Sequence, residues 1–237
     1  KIILTLLLIS FTKLSFCQVN FYKIVIGGGA GITKAFADLD ERSTSFGAYA
    51  ELGYNFTPFI SGNLEGQIGQ VKGGNIVTDR HNRQFTNDFK AFSINGKVAL
   101  GQFIDYSRSN FLSVIKGFYL GTGAGLIYND LTYVVRYKPG TETAYPPNGY
   151  YFPGKDKSTN LFVPVNVGMN FYFKDRNDNL RYIFNVNYQG NVTFGEGLDG
   201  YDDPQSIFKN HAPDIYTLFS VGLKYNFGPV GLAKRIF

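Results

Sequence analysis

Residues Ile24 to Ile32 read IVIGGGAGI. An apolar run opening onto clustered glycines is how a dinucleotide-binding strand and turn begins, and that fingerprint needs G-x-G-x-x-G between a strand and a helix. Gly27 and Gly29 fit, but the third glycine belongs at position 32, where Ile32 stands; Gly31 comes one residue early. What is regular here is a period of two. Ile24, Ile26, Ala30 and Ile32 fall on one face, and Val25, Gly27, Gly29 and Gly31 on the other, which is the side-chain period of a strand. Alternate glycines return at Gly121, Gly123 and Gly125, with Gly117 just before them. No nucleotide fingerprint fits there, so the spacing reads as strand patterning.

The same alternation recurs in eight segments. In the second, Phe46, Ala48, Ala50, Leu52, Tyr54 and Phe56 oppose Ser45, Gly47, Tyr49, Glu51, Gly53 and Asn55. The sixth sets Leu161, Val163, Val165, Val167, Met169, Phe171 and Phe173 against Pro164, Asn166, Gly168, Asn170 and Tyr172. The seventh centres on Tyr182, Phe184, Val186 and Tyr188, and the eighth runs from Ile215 to Phe227. Weaker versions occupy residues 21–33, 59–71, 89–104 and 114–129. The segments run to about 12 to 16 residues, where ordinary strands have about 5 or 6 and a tilted strand crosses a hydrocarbon layer in about 9 to 11. The predicted connections alternate long (34–44, 72–88, 130–160, 195–213) with short (57–58, 105–113, 174–179). An antiparallel barrel with short periplasmic turns and longer external loops has that rhythm, and an even strand count puts both termini on the periplasmic side. The expected fold is an all-β, eight-stranded, antiparallel up-and-down transmembrane barrel; the rival is a soluble secreted sandwich or barrel.

Composition agrees with β structure: 28 Gly, 17 Tyr and 23 Phe in 237 residues, with one Cys and no Trp. A net charge of +5 spread along the chain lacks the basic stripe of a nucleic-acid surface, so no nucleic-acid partner is expected. At the N-terminus Lys1 precedes the apolar run Ile2 to Ile9, too short for a spanning helix and patterned as a signal peptide. Ser15 and Cys17 place the cut before Gln18. The alternative, lipidation of Cys17, meets bulky Phe16 where a small residue belongs. The predicted division is 1–17 signal peptide, 18–228 barrel and 229–237 a short periplasmic tail.

This pattern resembles the small eight-stranded outer-membrane barrels of Gram-negative bacteria, the family of the OmpA transmembrane domain and OmpX. Its Tyr-rich, Asn-rich strands and Gln18 after the cut site look more like outer-membrane β-barrel proteins of Bacteroidetes. Leu223-Lys224-Tyr225-Asn226-Phe227 resembles the final-strand signal read by the barrel assembly machinery, with Leu223, Tyr225 and Phe227 as its apolar positions; here Gly228 to Phe237 follows. The resemblance implies residence in the outer membrane, lipid around the barrel, and the assembly machinery as a partner during biogenesis.

Apolar faces turned to lipid leave the opposite faces to fill an interior only wide enough for side chains. Those faces carry Lys23, Glu51, Glu65, Lys97 and Lys224, and buried charges need partners. We expect Glu51 and Glu65 to pair with Lys97, with Lys23 or Lys224 below, as a structural plug; a gate for a narrow solute pore is the alternative. A lipid-A-modifying enzyme is a third reading, since some barrels of this size resemble this chain and use His and Ser at the outer rim. His81 and His211 lack the His-x-Ser spacing, so no catalytic residue, cofactor or metal is expected. Acids such as Asp38, Asp40, Glu41, Asp202 and Asp203 lack the regular spacing of a calcium loop. Tyr133, Tyr137, Tyr145, Tyr150, Tyr151 and Phe152 lie among four prolines in loop 130–160. They form either a contact surface for an envelope protein or glycan, or a lid.

Overall fold

The computed structural model of the protein describes residues 18–36, 39, 41–79, 81–138, 149–177, 179–195, 197–204 and 213–234. The proposed signal peptide, Cys17, Asp38, Asp40, Tyr145 and His211 lie outside them. Eight strands form one closed antiparallel barrel: β1 (Gln18–Phe36), β2 (Arg42–Thr57), β3 (Ile60–Gly74), β4 (Gln84–Ala99), β5 (Phe118–Val134), β6 (Lys157–Lys174), β7 (Leu180–Phe194) and β8 (Ile215–Lys234). Closure runs from Gln18 opposite Lys234 to Phe36 opposite Ile215. Both described ends of the chain therefore meet at one rim, called the terminal end; the opposite rim is the mouth.

Period-two patterning decides which way each side chain points. Outward, every strand exposes large apolar groups: Ile26 and Ile32, Phe46 and Leu52, Leu64 and Ile68, Phe92 and Ile94, Leu120 and Leu126, Leu161 and Val165, Phe184 and Tyr188, Val221 and Leu223. Inward lie Glu51, Glu65, Gln67, Asn95, Lys97, Asn166, Gln189 and Lys224, all buried. Pro164 tests the ladder. It has no N–H to donate, and the β5–β6 register skips from Thr122 opposite Val165 to Gly125 opposite Phe162. Across this gap the Thr122 hydroxyl donates to the Pro164 carbonyl at 3.0 Å.

Several strand boundaries differ from the sequence-based expectation. The fourth strand begins at Gln84 and stops at Ala99, so the connection to β5 spans 100–117 and breaks the long–short rhythm. There the chain turns through a 3₁₀ segment, Leu100–Gln102, and a short helix, α1 (Asn110–Ile115). The Phe59 ring packs on Gly101, leaving no room for a Cβ, and Gly101 N–H donates to the Lys116 carbonyl. The fifth strand starts later than expected, at Phe118. Finally, β8 continues past Gly228, so residues 229–234 extend the last strand where a tail was expected. Gly228, at φ +84°, makes this possible: the register slips between Tyr22 and Ile24 of β1, as in a bulge built on a left-handed glycine.

The mouth differs from the polar interior. Inward residues near it are apolar (Val71, Phe85, Phe89, Ile127, Phe162), and the loops add Leu39, Phe152, Leu198 and Tyr201 to the same cluster. Polar contacts lock the loops over it. Tyr201 Oη donates to the Val135 carbonyl at 2.8 Å, Arg136 Nη1 to Gly200 O at 2.9 Å, and Asn87 Nδ2 to Leu198 O at 2.8 Å. Phe152 is fully buried, ring to ring with Tyr150 and Tyr201. Its loss leaves a cavity that rigid strands cannot collapse. Phe152→Ala is expected to cost about 3–5 kcal/mol in urea unfolding of the vesicle-reconstituted protein; a cost below about 1 kcal/mol would show that this loop does not seal the mouth.

Candidate functional site

The charged interior is built by register. Lys224 of β8 lies opposite Gly27 of β1, Gly27 opposite Glu51 of β2, and Glu51 opposite Glu65 of β3. The Lys224 side chain crosses β1 over Gly27, where an added Cβ would sit 2.8 Å from Lys224 Cγ. It reaches Glu51: Nζ stands 2.5 Å from Oε1. From β4, Lys97 approaches the other carboxylate oxygen, 2.9 Å from Glu51 Oε2, and lies 3.5 Å from Glu65 Oε2. Lys97 too lies opposite a glycine, Gly121, where a Cβ would be 2.8 Å from its Cγ. Two ammonium and two carboxylate groups thus make a neutral, buried cluster. Lys23 does not join it: half-buried at the β1–β8 bulge, it pairs with neither carboxylate.

Residues not singled out in the sequence complete the network. The Tyr119 ring centroid lies 5.9 Å from Lys97 Nζ and 6.0 Å from Lys224 Nζ, within reach of cation–π attraction. Its hydroxyl donates to Asn187 Oδ1 at 2.9 Å and accepts from Asn185 Nδ2 at 3.0 Å. Gln67 Nε2 donates to Glu65 Oε1 at 2.7 Å and to Gln189 Oε1 at 3.0 Å, while Tyr216 Oη donates to Gln67 Oε1 at 3.1 Å. Polar contact therefore runs from Lys224 through both carboxylates to the edge of the mouth cluster. Gln67 was legible as the next inward residue after Glu65; Tyr119, Gln189 and Tyr216 need the closed barrel to meet it. On the terminal side the cluster faces a cavity of about 40 Å³, room for a few waters at most.

The other predicted residues are dispersed. Tyr133 is exposed near the mouth end of β5, and Tyr137 and Tyr151 are exposed on the mouth loop and bridged to each other, whereas Phe152 and half-buried Tyr150 turn into the mouth cluster. Leu223 and Tyr225 point outward on β8, and Phe227 is half-buried. The His81 N–H donates to Asp79 Oδ1 within its own loop. Among the described residues no three His, Cys, Asp or Glu side chains converge as a metal site.

A second polar cluster braces the terminal end. In the β6–β7 turn, Asp175 accepts from the Asn177 and Asn179 amides, from Arg181 Nε at 2.9 Å and from the Tyr22 hydroxyl at 2.9 Å. Arg181 stacks over Tyr22 and Tyr225. Desolvation pushes the Asp175 carboxyl upward, but these hydrogen bonds outweigh it and hold the group below its ordinary value.

No family model matches this chain, and no curated protein does. Among solved structures, it is similar to Neisserial surface protein A (11% identity, 86% of this chain and 97% of that one, TM-score 0.48). It is also similar to Ail, the attachment invasion locus protein of Yersinia pestis (12%, 87% and 99%, TM-score 0.42), and to the outer membrane protein OprG of Pseudomonas aeruginosa (10%, 88% and 98%, TM-score 0.36). The barrel assignment rests on this chain's own strand pairing.

Two outcomes follow. Lys97→Met leaves two buried carboxylates facing one cation and is expected to cost about 3–5 kcal/mol, whereas adding Glu65→Gln should restore at least about half of that loss. Urea unfolding in vesicles reads both, and equal stability of the single variant and the parent would sink the pairing. For Asp175 the folded pKa is depressed, so its contribution is present above the unfolded value and disappears as pH falls through the folded one. Asp175→Asn should therefore flatten the loss of stability below about pH 4, read as unfolding midpoint against pH.

Proposed function

We propose that this chain is a non-enzymatic integral β-barrel of the outer membrane, plugged inside, with a structural or surface-interaction role. One observation carries the reading: the closed sheet is inverted relative to a water-soluble protein. Large apolar side chains cover the outside of all eight strands, while lysines, glutamates and amides fill the middle of the inside. Soluble monomers expose apolar patches of a few hundred Å²; a belt around a whole barrel is stable where hydrocarbon surrounds it. Edge closure supports the same setting, because a spanning sheet must satisfy its own backbone groups.

In this reading the terminal end is periplasmic and the mouth extracellular. Lipid contacts the belt, the assembly machinery reads Leu223, Tyr225 and Phe227, and exposed Tyr133, Tyr137 and Tyr151 present aromatic rings to an envelope protein or glycan. The neutral ion cluster and the apolar mouth stand in series across the interior, which favours the plug over a pore. A pore would need both to open.

The test combines two measurements. The protein extracted in detergent should migrate differently on gels before and after boiling, as a folded barrel does, and should pass no steady current in planar bilayers. Recovery from the soluble periplasmic fraction would overturn the membrane assignment, and a steady conductance altered by Lys97→Ala would overturn the plug.

A further inference from the structure

The connection between β4 and β5 has no counterpart at the terminal end. The β2–β3 and β6–β7 turns are tight, but residues 100–117 fold into the 3₁₀ segment and α1. This segment holds three apolar side chains away from the protein: Phe103, Phe111 and Val114 are 63%, 70% and 54% exposed. Phe111 and Val114 stand three apart on α1 and share a face.

The connection is anchored. The Ser109 hydroxyl caps α1 by accepting from the Leu112 amide at 3.2 Å. Tyr106 packs edge-on against Phe59 at 5.4 Å, and Lys116 Nζ lies 4.8 Å from the Tyr106 centroid. The exposed apolar groups are thus presented by a folded element with a fixed stem.

Two features identify what covers them. Both ends of the connection run directly into the outward apolar belt, at Val98 on β4 and at Phe118 and Leu120 on β5, all exposed. Exposed cations accompany it: Arg108 on the connection, whose Nε also pairs with Asp105 Oδ2 at 3.2 Å, and Lys174 and Arg176 at the adjoining β6–β7 turn. An apolar face continuous with a lipid-facing surface and bordered by cations matches the boundary between acyl chains and phosphate headgroups.

We propose that residues 100–117 form a membrane foot, lying in the headgroup layer of the leaflet at the terminal end. Phe103, Phe111 and Val114 dip into the acyl boundary, and the basic side chains face lipid phosphates. The proposal rests on the integral-barrel reading above and adds an interfacial contact beyond the spanning strands.

The chain contains no Trp, so a single substitution gives a single emitter. Phe111→Trp reports the foot and Leu120→Trp, on the belt, reports the barrel. Each full-length variant is refolded into phosphatidylethanolamine–phosphatidylglycerol vesicles whose acyl chains are brominated close to the headgroup, with its gel shift on boiling checked first. Both variants should lose about half of their emission or more relative to unbrominated vesicles. Phe111→Trp should also emit at shorter wavelength than free tryptophan and resist acrylamide. If Leu120→Trp is quenched by bromine while Phe111→Trp is quenched only by acrylamide, the foot is wrong and the barrel reading stands. If neither responds to brominated lipid, the barrel reading itself fails. Protection of Phe111→Trp in native envelopes but not in pure lipid would assign the face to a protein and overturn the proposal.

Discussion

Pairing of β1 with β8 leaves the sheet without an edge, and this closure governs the rest of the structure. A closed sheet has one inside and one outside, so each strand's alternation is forced into a single sense all round. Apolar side chains on the outer register form a belt, and polar side chains on the inner register must find partners in a narrow lumen. Among the described residues no loop or helix covers that belt on the strands, so the polarity of the barrel is inverted relative to a soluble domain.

Within the lumen, crowding is resolved by pairing large with small. Lys224 crosses Gly27, Lys97 crosses Gly121, and the Tyr49 ring lies over Gly29, where a Cβ would be 2.8 Å from its Cε1. The glycines of IVIGGGAGI are the floor over which interior side chains from neighbouring strands reach one another. A phosphate-binding turn would use its glycines for backbone approach to a ligand; here they make room for side chains. The same economy places Glu51 between two lysines, so that a carboxylate at the centre of the barrel is matched from both sides.

Along the barrel axis the interior changes character. The ion cluster and its amides occupy the middle, whereas the mouth is closed by aromatic and aliphatic groups drawn from strands and loops together. The loops over the mouth are held by hydrogen bonds to one another and to strand ends, so the residues left exposed there, Tyr137 and Tyr151 among them, sit on a braced surface. At the other rim, Asp175, Tyr22 and Arg181 tie the start of β1 to the β6–β7 turn, and the β4–β5 connection extends the apolar surface beyond the strands.

The sequence by itself determined the strand count, the antiparallel order and the facing of most side chains, because a period of two sustained over long segments is a local property of the chain. It also marked Glu51, Glu65, Lys97 and Lys224 as inward charges, since inward parity can be counted along each strand. Tertiary structure alone decided who meets whom. Cross-strand register aligns Lys224, Gly27, Glu51 and Glu65 and leaves Lys23, earlier on β1 at the register shift, out of that row, and closure brings Tyr119, Tyr216 and Gln189 to the network from strands far apart in the chain. It also decided the ends of β4, β5 and β8, where a ring stacked on Gly101 and a left-handed glycine at 228 override alternation. Those effects depend on the neighbour a residue meets across the barrel, and that neighbour is unknown until the sheet has closed.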